Sequence, residues 1–178
     1  MIPNLRIFCD MDGVLCNFDG GFVKSNKEGL RPADYTTKYG KGSIWPILGE
    51  IGSKFWSELE WMPDGQKLWD ELFKYEPTIL SSPSRDYSSI VGKMKWIYTN
   101  LEISQEKPVT KNKDWDKDTR IILSQHKHLY VIPDTICILI DDTISKVEKW
   151  ADAGGIAILH TDTESTLDTL NSILHNFN

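Results

Sequence analysis

Short apolar runs recur along the chain, and most of them stop at a polar or acidic group. Leu5, Ile7, Phe8 and Cys9 form the first run, and Asp10, Asp12 and Gly13 follow it. Thr78-Ile79-Leu80 ends in Ser81-Ser82-Pro83, and the run from Arg120 to Ser124 precedes His126-Lys127-His128. Cys137 to Ile140 stops at Asp141-Asp142, and Ile156 to Leu159 closes the series. Runs this short and apolar predict buried strands. Between them the apolar spacing turns helical. Leu68, Trp69, Leu72 and Phe73 predict a helix from an Asp64 cap to about Tyr75. Ile90, Val91, Met94, Ile97 and Tyr98 predict the inner side of a helix that ends near Asn100, capped by Asp86 or Ser88. Thr143 to Ala151 predicts another, and Ser165 a cap for the last, whose apolar residues are Leu167, Leu170, Ile173 and Leu174. Strands alternating with helices predict an α/β fold, a mostly parallel Rossmann-type sheet flanked by helices.

One stretch breaks the alternation. Residues 17–62 hold Gly20, Gly21, Gly29, Gly40, Gly42, Gly49 and Gly52, with Pro32 and Pro46. Short amphipathic pieces lie between these breakers: Phe18, Phe22 and Val23 fit one helical face, and Ile47, Leu48, Ile51, Phe55, Trp56 and Leu59 another. A structureless loop of that length is uncommon in a compact domain. The expectation is a small helical cap at 17–62, inserted after the first strand of a core made of 1–16 and 63–178. That position suits a lid over a site. Residues 102–118 read as a polar connection.

Composition narrows the class. A chain of 178 residues holds one domain with room for a small insert. A formal net charge of -6 disfavours a broad polynucleotide-binding surface and leaves open a small anionic substrate held by local cations. No apolar run approaches membrane-spanning length, and the N-terminus lacks a signal-peptide core. Cys9, Cys16 and Cys137 are far apart and odd in number, which predicts reduced thiols in a cytoplasmic protein. His126, His128, His160 and His175 lack zinc-ligand spacing.

Carboxyl ends of parallel strands share one edge, where ligands bind in open α/β sheets. Asp10/Asp12, Ser81/Ser82, Lys127 and Asp141/Asp142 would therefore meet. Asp10 and one of Asp141/Asp142 offer hard oxygen ligands suited to Mg²⁺. Ser81 can donate to a phosphoryl oxygen, and Lys127 can face the negative charge that develops there. Asp10 can attack phosphorus, and Asp12 can move a proton to the leaving group and from water. Singly, each feature has a plainer explanation: an acidic turn, a Ser-Ser turn before Pro83, a solvated lysine, a helix cap. All four falling at strand ends is poorly explained that way.

Asp10-Met-Asp12-Gly13-Val14 resembles the first motif of the haloacid dehalogenase (HAD) superfamily of phosphohydrolases. Leu80-Ser81, Lys127 and Ile140-Asp141-Asp142 resemble its second, third and fourth motifs. The run from Asp10 to Phe22, Phe55-Trp56 through Gly65, Ser81-Ser82-Pro83, and Arg120 to Lys127 resemble the 5'(3')-deoxyribonucleotidase family in the same order. The resemblance implies Asp10 as nucleophile and Asp12 as general acid/base. It implies Mg²⁺ on the Asp10 carboxylate, the Asp12 carbonyl and Asp142, with Asp141 in support. Ser81 would hold phosphate where Thr is more usual, Ser82 would bind substrate, and Phe18 would line a nucleoside pocket. Lys127 is preferred as the phosphate-facing lysine; Lys93, on the helix after Pro83, is the alternative. Trp45 and Trp56 are the candidate base-contacting aromatics, against plain cap-core packing. The implied partner is a nucleoside monophosphate, with no polynucleotide, no membrane, and a homodimer allowed. Another small phosphate ester, such as a sugar phosphate, and a phospho-accepting signalling receiver are the competing expectations.

Overall fold

The computed structural model describes residues 4–104, 107–111, 115–116 and 118–177. Five strands form one sheet: β1 (Leu5–Cys9), β2 (Thr78–Ser81), β3 (Ile121–Leu123), β4 (Ile136–Asp141) and β5 (Ile156–Leu159). Their order is β3-β2-β1-β4-β5, and every pairing is parallel. The α/β expectation holds. β1 is central, with chain crossing to either side of it, so its carboxyl end lies at the topological switch point. Cys9 pairs with Ile79 on one side and Ile140 on the other, which brings Asp10, Ser81 and Asp141 to one edge.

Among the described residues the α-helices are α1 (Phe18–Ser25), α2 (Pro32–Tyr39), α3 (Ile44–Ile51), α4 (Ser53–Ser57), α5 (Gly65–Phe73), α6 (Tyr87–Asn100), α7 (Ile144–Asp152) and α8 (Thr163–His175). A 3₁₀ turn spans Lys127–Tyr130. The first four helices fill the stretch after β1, which among its described residues holds no strand; only the isolated pair Cys16 and Trp61 bridges its two ends. Of the predicted polar connection, residues 105–106, 112–114 and 117 lie outside the described residues. Val109 bridges to Ile122.

Side chains alternate across the sheet, as the pleat requires. Ile7, Cys9, Ile79, Ile138 and Ile140 face a large core that also takes in α5, α6, α8 and the inserted helices. Phe8, Leu80, Ile122 and Leu139 face a smaller one closed by Tyr130 and Trp150. Phe8 meets the Trp150 ring edge-on at 5.0 Å.

Three local expectations change. Asp64 is the N-cap residue of α5 as expected, but its side chain makes no capping bond; its carboxylate accepts instead from the Thr163 amide at 2.8 Å and so ties α5 to α8. The cap of α8 is Asp162, not Ser165, whose amide is the donor to it. Val91 and Tyr98, expected inside, are exposed, while Ser89, Gly92, Lys93, Met94, Trp96 and Ile97 are buried. The buried arc of α6 is rotated because the helix packs against α4 as well as the sheet. Gly92 makes that contact possible: a Cβ there would come within 2.4 Å of the Ser53 carbonyl and 2.5 Å of Trp56 Cβ. Nearby, Trp96 Nε1 donates to the Leu59 carbonyl at 2.8 Å.

Gly92→Ala should therefore destabilise the protein by about 1–3 kcal/mol through overpacking, although alanine is the better helix former. Urea unfolding checks this; equal or greater stability would show that α4 does not sit against α6.

Candidate active site

The β1 ladder continues one residue past the strand, because the Asp10 amide donates to the Ile140 carbonyl at 3.0 Å. This fixes the Asp10 carboxylate at the sheet edge. Asp10 Oδ1 accepts from the Met11 amide at 2.7 Å, and Oδ2 lies 2.8 Å from Lys127 Nζ. The same ammonium is 2.6 Å from Asp141 Oδ2. Lys127 is thus buried between two acids, carried there by the 3₁₀ turn that follows β3. Asp141 Oδ1 accepts from the Thr143 amide at 2.9 Å, which starts the turn into α7.

A second buried lysine stands on the other flank. Lys93, from α6, places Nζ 2.6 Å from Asp12 Oδ2 and 3.1 Å from Ser81 Oγ. Its ammonium also lies 4.9 Å from the centre of the Trp56 ring. Both candidate lysines therefore reach the site, with different partners: Lys127 holds Asp10 and Asp141, and Lys93 holds Asp12 and Ser81.

These neighbours set the acids apart. Burial pushes the Asp10 carboxyl up, but the charges of Lys127 and Lys93 and the hydrogen bonds it receives hold it below its ordinary value. Burial raises the Asp12 carboxyl; Lys93 opposes the shift and the Asp10 charge adds to it. Asp12 Oδ1 is buried and has no hydrogen-bond partner. The two carboxyls are thus shifted in opposite directions, Asp10 toward the ionised form and Asp12 toward the protonated one, the division expected of a nucleophile beside a general acid.

Asp142 is exposed, and its carboxylate hangs over Gly13. A Cβ at Gly13 would fall 2.1 Å from Asp142 Oδ2, and the residue has φ of +76°, so only glycine suits the position. Desolvation, then repulsion from Asp10 and Asp141, pushes the Asp142 carboxyl up to about 6. Asp10, Asp141 and Asp142 each offer an oxygen within 4.8 Å of the others. An all-carboxylate set in which Lys127 pairs with Asp10 and Asp141 while Asp142 has no lysine of its own fits a hard divalent cation. Asp12, by contrast, directs its side chain to Lys93, away from that group.

A cavity of about 1140 Å³ opens above these residues. Asp10, Asp12, Ser82 and Asp142 border its floor, and Phe18, Trp45 and Trp56 line it further out. Trp56 is buried and lies 5.6 Å from Phe18 between ring centres, so it both packs and lines the cavity; Trp45 is about half exposed. Ser81 is fully buried beneath the floor. Lys146 also borders the cavity and was not anticipated. Its signal was its place four residues after Asp142, in the first turn of the helix that follows the acidic strand end.

No protein-family model matches the chain, and no curated protein sequence matches it. Solved structures do. A hydrolase from Streptococcus pneumoniae TIGR4 superimposes with a TM-score of 0.57 at 11% identity, over 96% of this chain and 100% of that one. A HAD family hydrolase from Deinococcus radiodurans R1, with bound phosphate and sodium, gives 0.50 at 13% identity, over 88% and 80%. The likeness is one of fold: the sheet and its helices are HAD-like.

Removing Lys127 should leave Asp10 and Asp141 facing each other unscreened. Lys127→Met is expected to destabilise the protein by about 3–5 kcal/mol in urea unfolding, the usual result of breaking a buried pair. A loss below about 1 kcal/mol, the scale of a surface pair, would refute that arrangement. For Asp142 the pH dependence has the opposite origin. Its folded pKa lies above the unfolded value, so ionising it costs stability that is lost as pH rises through about 6. In chelator-treated protein, Asp142→Asn should raise the melting temperature near neutral pH and change little near about pH 3.5. An equal effect at both would contradict the crowding of acids.

Proposed function

We propose that the protein is a HAD-superfamily phosphatase that hydrolyses nucleoside monophosphates, deoxyribonucleotides above others, through an aspartyl phosphate. The observation that carries this is the Asp10/Asp12 pair at the switch point: one carboxyl held ionised by Lys127, the other pushed toward protonation two residues away. The HAD-like fold supports phosphatase-type chemistry. Phe18, Trp45 and Trp56 around the cavity support a flat, apolar substrate portion such as a base or sugar.

In this reading an Asp10 carboxylate oxygen forms a bond to phosphorus as the ester P–O bond breaks. Asp12 gives its proton to the departing oxygen. Lys93 keeps the Asp12 carboxyl oriented through Oδ2, which leaves Oδ1 to carry the mobile proton. In the second half Asp12 takes a proton from water while that oxygen attacks phosphorus, and Asp10 leaves as a carboxylate. Lys127 stabilises Asp10 whenever it is free. Ser81 and Ser82 bind the phosphoryl group, Ser81 being oriented by Lys93. Asp10, the Asp12 carbonyl and Asp142 would hold Mg²⁺, with Asp141 supporting. When bound, the ion supplies charge that offsets the carboxylate repulsion and attracts phosphate oxygens.

The division into a core at 1–16 and 63–178 and a cap at 17–62 belongs to the same proposal, with the cap forming the roof that selects substrate. All three cysteines are free and buried, which suits a reducing cytoplasm. Among the described residues no helix is long and apolar enough to cross a membrane.

A phosphate-release assay across deoxyribonucleotides, ribonucleotides and sugar phosphates, with Mg²⁺ and with chelator, tests the reading. The expected result is Mg²⁺-dependent turnover favouring deoxyribonucleoside monophosphates, lost in Asp10→Asn by at least about 10³-fold. Full activity in that variant overturns the mechanism. Preference for sugar phosphates overturns the substrate class alone, and a stable phosphoprotein without turnover points to a signalling receiver.

A further inference from the structure

We propose that Lys146, in the first turn of α7, is a substrate-binding catalytic residue that contacts the phosphoryl oxygens from the cavity wall. This rests on reading the cavity as a phosphoryl-transfer site. Three ammonium groups surround that site, and they differ in what already engages them. Lys127 lies between the carboxylates of Asp10 and Asp141, and Lys93 against Asp12 and Ser81. Both are buried, at 2% and 1% exposed, and neither lines the cavity. Lys146 is half-buried and does line it.

Its hydrogen bonds go to neutral oxygens. Nζ donates to Ser82 Oγ at 3.1 Å and to the Gln125 carbonyl at 2.9 Å. These belong to the segments after β2 and β3, so the side chain reaches from α7 across the strand ends. It lines the cavity together with Asp10, Ser82 and Asp142, and the charges of Lys127, Asp141 and Asp10 act on it. Desolvation, followed by repulsion from Lys127, lowers its pKa, as expected of an ammonium that lacks an adjacent anion.

A phosphate monoester dianion supplies that anion. Its charge spreads over three oxygens during transfer, and each needs a donor. Ser82 Oγ and Lys146 Nζ, already adjacent, form a two-point clamp for them. The ligand class is a phosphate monoester or inorganic phosphate, bound through the part common to all such substrates.

The test uses p-nitrophenyl phosphate, which carries no nucleoside, so a wrong substrate class does not confound it. Lys146→Met and Lys146→Gln should each raise the inhibition constant of inorganic phosphate, and lower kcat/KM, by about 10- to 100-fold, the effect of one charge-assisted hydrogen bond. Lys146→Gln keeps neutral donors toward Ser82 and the Gln125 carbonyl, so its loss would report charge rather than packing. Lys146→Arg should restore most of the affinity. Unchanged phosphate inhibition in both neutral variants, with or without a lower melting temperature, overturns the proposal and leaves Lys146 a strut between α7 and its neighbouring loops. If no ester is turned over, the phosphatase reading fails separately, and calorimetric titration with inorganic phosphate decides this one. Binding by the native protein that both neutral variants lose supports the clamp; equal binding, or none by the native protein, refutes it.

Discussion

Four carboxylates crowd the carboxyl edge of the sheet, and two buried ammonium groups make that crowding tolerable. Lys127 bridges Asp10 and Asp141, while Lys93 joins Asp12 to Ser81. Isolated charges at such depth would be strongly disfavoured. Paired, they do more than survive burial. At Asp10 the lysine charges outweigh the desolvation that would otherwise favour a proton, whereas at Asp12 and Asp141 the nearest ammonium opposes that upward shift without reversing it. Asp142, to which neither lysine is ion-paired, is pushed up to about 6 by desolvation and by the charges of Asp10 and Asp141.

The sheet was legible in the sequence because burial on both faces leaves little but apolar residues. Polar groups at the ends of those runs stood out for the same reason. Asp10, Asp12, Ser81, Ser82, Lys127 and Asp142 were all visible in this way, and the structure gathers them, along with Phe18, Trp45 and Trp56 from the insert. The lysines were harder. Lys93 lies mid-helix among apolar residues, where a one-dimensional pattern cannot say whether it points to water or inward. Its burial depends on α4 packing across α6, a long-range contact. Val91 and Tyr98 were misplaced for the complementary reason: rotating the buried arc toward α4 turned them outward. Lys146 left only a spacing, four residues from Asp142, and nothing local shows that Ser82 and Gln125 would meet it.

Capping followed the same logic. Asp86 could be read locally, since its carboxylate accepts from the Ser88 amide within the same turn. Asp64 could not. Its carboxylate bonds to Thr163, 99 residues away, and that choice is made by the packing of α5 on α8. Local chemistry predicted the polar residue's location, and tertiary structure chose its partner.

The packing of α4 against α6 divides the cavity roof into two mechanical parts. Phe55, Trp56 and Leu59 are buried in the main core, and Gly92 admits no slack beneath them. The segment from Lys41 to Gly49 borders the same cavity but exposes Trp45 and lies between Gly40 and Gly52. Substitutions in the first part disturb the fold along with the site. In the second, Ile44 and Leu48 belong to the same core, so only its exposed positions, such as Trp45, can change the cavity's lining without disturbing the fold. Variation in the cavity's lining is therefore cheapest at a few exposed positions around Trp45, and costs core packing everywhere else in the roof.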